Sequence, residues 1–373
     1  MDYHEPLPVS AERFAELREY FETRSFRGRE YEHLPDYRSD LNRGVVLIED
    51  TVVDGFPKIP RTLVIETGVP RHFEEELAVE EKLDGFNVRV ARVGDDSADE
   101  PLAFTRSGIV CPFTTYQARE LLPVAEFFAD HPDLMLCGEM VGPENPYTDH
   151  EYADVDSLDF RVFDVRDRET GGSVPVRERR DLCADYDIPQ VPFHGVFTPE
   201  EAVEKLPGIV EELDAGGREG VVMKTLSVDQ QLKYTTSAAN QGNLEYAFSL
   251  PFDYGQAFMF RRLIREAFQS VEWDEDERAR RERAHELGEA ILCSMTDTIE
   301  RIDGGATVGE RHTVRAPPEI VDELFEHFRS MGLQLEIETD EREAGERVVT
   351  FTKKTQATND KVRAYLDGQI VRE

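Results

Sequence analysis

Tryptophan occurs once, cysteine four times and lysine eight times in 373 residues, and each scarcity removes a class of explanation. The cysteines, Cys111, Cys137, Cys183 and Cys293, form no Cys-x-x-Cys pair. That spacing excludes a disulfide frame or a zinc knuckle and predicts reduced thiols in a cytoplasmic protein. No apolar run approaches the roughly 18 residues of a membrane helix. Residues 1–10 lack the pattern of a secretion signal, so a soluble protein with no membrane partner is expected. Positive charge is also short: 43 basic residues face 78 acidic ones, for a net charge of -35. Self-repulsion on that scale opposes compaction unless salt screens it, and acidic surfaces keep proteins hydrated in concentrated salt. A salt-rich cytoplasm is the expectation, with an ordinary acidic protein as the alternative. The charge bias is global, so it does not argue against a local groove for nucleic acid.

What lysine there is falls in telling places. Lys82, Lys224 and Lys233 sit in segments suited to holding a nucleotide, in a chain that otherwise uses arginine. The length allows two or three domains. Residues 9–24 predict a helix capped by Ser10, with Phe14, Leu17 and Phe21 on one face. Residues 44–66 predict strands, including Thr62 to Glu66, with a turn at Asp54-Gly55. Residues 76–234 alternate short β runs with loops and a few helices, such as 115–130, and the acidic stretch 94–100 predicts a solvated hairpin tip. Residues 252–270 and 274–300 predict two helices, followed by a helix over 318–331, strands over 334–338 and 347–353, and a helix over 359–367.

Several β runs end at or contain a residue able to act on a nucleotide. Leu77 to Glu81 leads into Lys82-Leu83-Asp84-Gly85. Leu134 to Val141 is interrupted by Gly138-Glu139. Asp159 to Val165 carries Phe160, Phe163 and Asp164, and Glu219 to Lys224 is followed by Leu232-Lys233-Tyr234. Carboxylates in apolar strands are costly unless paired or bound to metal. Singly each element is weak: Lys-x-Asp-Gly reads as a surface turn, Gly138-Glu139 as an edge bulge, and Lys224 as a partner of Glu219. The order and spacing of all five raise the reading. One difficulty is parity, because Glu219 and Lys224 lie five residues apart and a regular strand puts them on opposite faces. A bulge or twist at Gly220 would be needed to turn one inward.

In that order the segments resemble the covalent nucleotidyltransferases: ATP-dependent DNA ligases, RNA ligases and capping enzymes. Asn87, five residues after the lysine, and the stretches Gly55 to Arg61, Thr105 to Phe113 and Lys233 to Ser237 look like the archaeal homodimeric ATP-dependent RNA ligases, sometimes called family 3. The resemblance fits a halophilic archaeon. It implies an α+β fold: a nucleotidyltransferase domain of antiparallel sheets with flanking helices, an N-terminal β-rich module and a C-terminal helical dimerisation region. The expected division is 1–70, 71–250, 251–310 and 311–373.

The same resemblance implies the chemistry. Lys82 attacks the α-phosphate of ATP to give a lysine-AMP phosphoramidate, and the cations Lys224, Lys233 and Mg2+, with partial burial, favour its neutral amine. Glu219 is the leading ligand for Mg2+, with Glu139 beside it and Mn2+ as an alternative ion. Glu139 and Arg106 would bind the ribose, Asn87 would line the site, and Phe163 would stack on adenine, with Phe160 as second choice. Glu80 or Glu81 and nearby backbone would read the adenine edge. Many relatives carry Lys-x-Lys where this chain has Lys233-Tyr234-Thr235, so the division of phosphate contacts between Lys224 and Lys233 stays open. AMP would pass to the 5′-phosphate of single-stranded RNA, and a 3′-hydroxyl would displace it, giving a joined or circular RNA. Apolar stripes with Phe258, Leu263, Ile264 and Phe268 fit intramolecular core or, by resemblance, a homodimer. Lys353, Lys354 and Lys361 fit a lid, an RNA contact or a solvated face. The rival readings are a DNA ligase, a capping guanylyltransferase preferring GTP, and a nucleotide-dependent RNA-binding protein without turnover.

Overall fold

The computed structural model describes residues 3–38, 40–94, 101–148, 150 and 152–370. The predicted hairpin tip over 94–100 lies, beyond Gly94, outside the described residues. Two four-stranded antiparallel sheets form the centre. In the first, Leu77–Lys82 and Gly220–Thr225 are inner strands, flanked by Phe193–Phe197 and Gln231–Thr235. In the second, Phe86–Ala91 and Leu134–Val141 are inner, flanked by Leu102–Thr105 and Asp159–Asp167. The tetrapeptide Lys82-Leu83-Asp84-Gly85 is the crossing from one sheet to the other. Gly85 is required there, because a Cβ would meet Val141 Cγ1 at 2.7 Å and the Met140 carbonyl at 2.8 Å.

Period-two alternation sorts the side chains of the first sheet. Leu77, Val79, Val221, Met223, Leu232 and Tyr234 form a core with helices Ile65–His72 and Pro199–Ala215. Ala78, Glu80, Lys82, Val222, Lys224 and Lys233 therefore face the other way, towards the second sheet. That sheet buries Val88, Val90, Leu136, Phe160 and Val162 against helices Pro112–Leu121, Val124–Asp130 and Val176–Asp185. Phe160 is fully buried in this core and is thus excluded as a stacking surface.

An N-terminal sheet of Glu22–Phe26, Arg29–His33, Val46–Ile48 and Thr51–Val53 packs Tyr31, Val46, Ile48 and Phe56 on the second sheet. The fully buried Arg89 clamps the junction through the carbonyls of Asp54, Gly44 and Thr105. Four predicted details differ. The helix capped by Ser10 is shorter, Ala11–Leu17 with one 3-10 turn to Tyr20, because the chain turns at Phe21 into a strand. The hairpin turn is at Glu49-Asp50, while Asp54 is buried and its N–H bonds the Arg168 carbonyl at 2.7 Å. Thr62 to Glu66 leads into helix Ile65–His72, since Ile65 and Val69, four apart, bury together beneath the first sheet. The predicted helix 115–130 is two helices broken at Pro123.

Beyond Ser237 the chain is helical through Asp303, with Ser237–Ser249, Gln256–Glu272, Glu277–Gly288 and Ser294–Asp303. The last part is a three-stranded sheet, Gly309–Ala316, Glu346–Lys354 and Leu335–Glu343 in that order, with helices Pro318–Ser330 and Gln356–Leu366. It packs on Cys111 and Phe113. All four cysteines are free thiols. Among the described residues no helix is long and apolar enough to cross a membrane.

Lys353 belongs to no solvated face. Its amine donates to the Pro146 carbonyl and lies 5.0 Å from the centres of the Tyr147 and Phe328 rings, fastening the C-terminal sheet to the loop after Val141. Lys354 instead pairs with exposed Glu336 at 2.9 Å. Burial pushes the Lys353 ammonium down to about 8. A base whose proton is held less tightly folded than unfolded makes stability rise with pH between those two values. We expect unfolding free energy to increase from pH 8 to 10 more steeply in the wild type than in Lys353→Met, by on the order of 1–3 kcal/mol over that window. Denaturant titration at fixed salt checks it.

Candidate active site

The faces turned away from the two cores enclose a pocket. Glu80, Glu81, Lys82, Asn87, Arg106, Glu139, Phe163, Lys224 and Lys233 all line it, with Phe56, Pro57, Ile59, Leu83, Val191 and Val222. Lys82 ends its strand at the mouth of the crossing, and its amine is paired with the Glu219 carboxylate. The parity conflict is resolved at Gly220, whose φ of +140° is closed to most side chains and whose Cβ would run into the Tyr234 carbonyl. Glu219 thus stands just outside the regular strand and reaches Lys82, while Lys224 keeps the inward face.

Lys224 is buried. Its amine meets Glu80 Oε2 at 2.9 Å and donates to the Phe163 carbonyl at 2.6 Å. Glu80 is also paired with Arg179 and lies 3.6 Å from Arg180. Burial opposes its charged form, but Lys224 and Arg179 outweigh that and hold the carboxyl below the usual range. Glu81 points to the other face and pairs with Arg218 at 2.5 Å, while its N–H bonds the Pro192 carbonyl. Both carboxylates are therefore engaged by cations.

Phe163, on the face opposite Phe160 and Val162, sits at a bulge. Cys137 is opposite Asp164 and Gly138 opposite Val162, so Phe163 has no partner across the strand pair. Its carbonyl is freed for Lys224 and Arg179, and its ring turns to the pocket against Phe56, 5.1 Å away edge to face. Glu139 is opposite Asn87, whose amide donates to Oε1 at 3.4 Å. Glu139 Oε2 and Asn87 Oδ1 are buried without a protein hydrogen-bond partner. Burial, against the opposing effect of Lys82, pushes the Glu139 carboxyl up to about 7.

Lys233 makes no ion pair among the described residues. Burial, then Lys82, Arg61 and Arg106, push its ammonium down to about 7. The N-terminal segment docks beside it: Lys233 N–H bonds the Pro60 carbonyl at 3.0 Å, and the Lys233 carbonyl accepts from Thr62 N–H at 3.1 Å. That docking brings Phe56, Ile59 and Arg61 to the site. Their sequence signal was the stretch Gly55 to Arg61, which carries no periodic pattern to show which side chains point inward. Val222 lay inside the run Glu219 to Lys224 without being singled out, and Arg262 and Arg265 carried no signal at all.

The RNA ligase family model matches residues 75–235, and a model described as the Ligase Pab1020 C-terminal region matches 246–369. An uncharacterized protein of Methanocaldococcus jannaschii is 37% identical over 338 residues, covering 87% of this chain and 84% of its own. A solved structure of an archaeal ATP-dependent RNA ligase, form 1, superposes with a TM-score of 0.90 at 39% identity, covering 99% of this chain and 98% of the other. A protein of Aquifex aeolicus provisionally named an ATP-dependent DNA ligase superposes with a TM-score of 0.89 at 28% identity, covering 97% and 100%.

Proposed function

The chain belongs to the archaeal ATP-dependent RNA ligase family, and from that premise we propose that Lys82 carries AMP between ATP and the 5′-phosphate of RNA. The observation that supports this most is a lysine amine, paired to a carboxylate, at the mouth of a pocket with an aromatic wall, two further lysines and an unpartnered carboxylate oxygen. The amine nitrogen forms a bond to the α-phosphorus, the bond to the β-phosphate oxygen breaks, and pyrophosphate leaves with the electron pair. Glu219 holds the amine in place and is the nearest group to receive its proton. Transfer to an RNA 5′-phosphate and displacement of AMP by a 3′-hydroxyl complete the joining; when both ends belong to one strand, the product is a circle.

Phe163 supplies the face for adenine, and backbone beside Glu80 and Glu81 the edge. Glu139, with Oε2 still open as an acceptor, and the exposed Arg106 suit the ribose. Because Lys224 is committed to Glu80, the phosphate contacts fall to Lys233. Two carboxylates, Glu219 and Glu139, whose Oε2 is open, would hold Mg2+, or Mn2+, a hard ion suited to oxygen donors. When bound, such an ion neutralises charge on the phosphates. Single-stranded RNA with 5′-phosphate and 3′-hydroxyl ends should give phosphatase-resistant, exonuclease-resistant product with ATP and not GTP. Better sealing of a nicked DNA duplex would favour the rival DNA ligase instead.

The four-part division at residues 70, 250 and 310 belongs to the same reading, as does dimerisation. Helix Gln256–Glu272 leaves Phe260, Ile264, Phe268 and Val271 exposed along one stripe, with Leu292 and Ile299 exposed on later helical turns. A continuous stripe of this kind in so charged a chain fits a second copy. Ile264→Glu with Phe268→Glu is expected to turn a dimer into a monomer by light scattering in concentrated potassium chloride; a monomeric wild type would overturn the dimer.

A further inference from the structure

The dipeptide Glu81-Lys82 is gripped by the dipeptide Arg218-Glu219 with its charges reversed: Lys82 pairs with Glu219, and Glu81 with Arg218 Nε at 2.5 Å. Glu81 and Lys82 point to opposite faces of the first sheet, as alternation requires. The Arg218 guanidinium also stands over the Tyr152 ring, 4.3 Å from its centre. The segment after strand Leu134–Val141 brings Tyr152 there, in a turn where the Val155 N–H bonds the Tyr152 carbonyl at 2.9 Å. The transfer of AMP described for Lys82 uses neither Tyr152 nor Arg218.

Leu83, Asp84 and Gly85 lie outside the strands of both sheets, so no ladder of backbone bonds fixes them. Tyr152 takes hold of them instead. Its buried ring packs with Leu83, Val141, Val155 and Val191 in one apolar cluster. Its hydroxyl accepts the Asp84 N–H at 2.6 Å and donates to the Asp84 carbonyl at 3.5 Å. Burial pushes the phenol well above its usual range, so it stays protonated at any working pH. Four consecutive residues are thus tied: Glu81 by Arg218, Lys82 by Glu219, Leu83 by the apolar cluster and Asp84 by the Tyr152 hydroxyl.

We propose that Tyr152 and Arg218 are positioning residues for AMP uptake, fixing the backbone of the crossing so that the Lys82 amine meets the α-phosphate in line. The inference rests on the ligase reading above. Neither side chain lines the nucleotide pocket, so both act through residues 81–84 and not on ATP. A displacement of about 1 Å at a reacting atom costs on the order of 100-fold in rate. Lys82 takes up AMP and passes it on but has no part in the final displacement. The pair therefore matters for the first two exchanges and not for the last.

The test compares full-length wild type, Tyr152→Phe and Arg218→Lys for formation of the AMP adduct, by intact mass, and for joining of RNA that already carries AMP on its 5′ end. In Tyr152→Phe, which keeps the ring and loses the hydroxyl, adduct formation at saturating ATP should slow by ~10–100-fold. KM for ATP should change by less than about threefold, and joining of the adenylylated RNA by less than about twofold. Arg218→Lys, which keeps the pair with Glu81 and loses the flat guanidinium over the ring, should show a smaller fall and guards against a misfolded phenylalanine variant. The pH profile of adduct formation should keep its shape, because a phenol that stays protonated takes no proton from the amine. Unchanged adduct formation in both variants would overturn the proposal. So would an equal loss on adenylylated RNA, which would make the pair's role purely structural, or a raised KM at unchanged rate, which would place it on ATP. An alkaline limb that moves in Tyr152→Phe would overturn it too, by making the tyrosine a proton acceptor. Failure of the wild type to take up AMP would sink the ligase reading instead, so the two failures are distinguishable.

Discussion

Lys82→Met is expected to lose joining of 5′-phosphate RNA by at least ~10^4-fold, as removal of a covalent nucleophile does, yet to keep joining RNA that already carries AMP on its 5′ end. The contrast follows from the single task given to this side chain. Its amine bears AMP during the first two exchanges and takes no part when a 3′-hydroxyl displaces AMP. A gel assay with both substrates reads the two rates. Equal losses on both would mean that the substitution had disturbed the pocket, in which Lys82 also holds Glu219.

Glu80→Ala should have the largest effect on stability. Glu80 is almost wholly buried, and so are Arg179 and Lys224, which it pairs with. Removing the carboxylate strands two cations in a medium that solvates them poorly, at a cost of about 3–5 kcal/mol. Denaturant unfolding at constant potassium chloride measures it. The double variant Glu80→Ala with Lys224→Met should recover part of the loss, because one stranded charge goes with the lysine. A loss in Glu80→Ala below about 1 kcal/mol would contradict the burial argument.

The elements around the site were legible where local pattern decided the outcome. The apolar run before Lys82, the strand carrying Glu139 and the helix capped by Ser10 all follow from alternation or capping visible in a short window. What needed the fold was orientation. Phe160 and Phe163, three positions apart, fall on opposite faces of a strand by alternation, but which of those faces meets the core and which the pocket is set only by how the sheet packs. Glu219 and Lys224 conflicted by parity until Gly220 took a positive φ. Residues 62–66 read as a strand from their β-branched content, but burial of Ile65 and Val69 on one side overrode that propensity. Arg265 and Arg262 were invisible because arginines in a charged helix read as a solvated face. Their nearness to Arg61, far away in the chain, exists only once the N-terminal segment has docked on Lys233.

The covalent step is the claim on which the rest depends, and intact-protein mass tests it most directly. Wild type and Lys82→Ala, freed of any bound AMP by pyrophosphate, are incubated in concentrated potassium chloride with Mg2+ and either ATP or GTP. The account predicts a mass increase of one AMP for the wild type with ATP, none with GTP, and none for Lys82→Ala. An adduct that persists in Lys82→Ala, or a wild type that gains no mass from ATP, would contradict it.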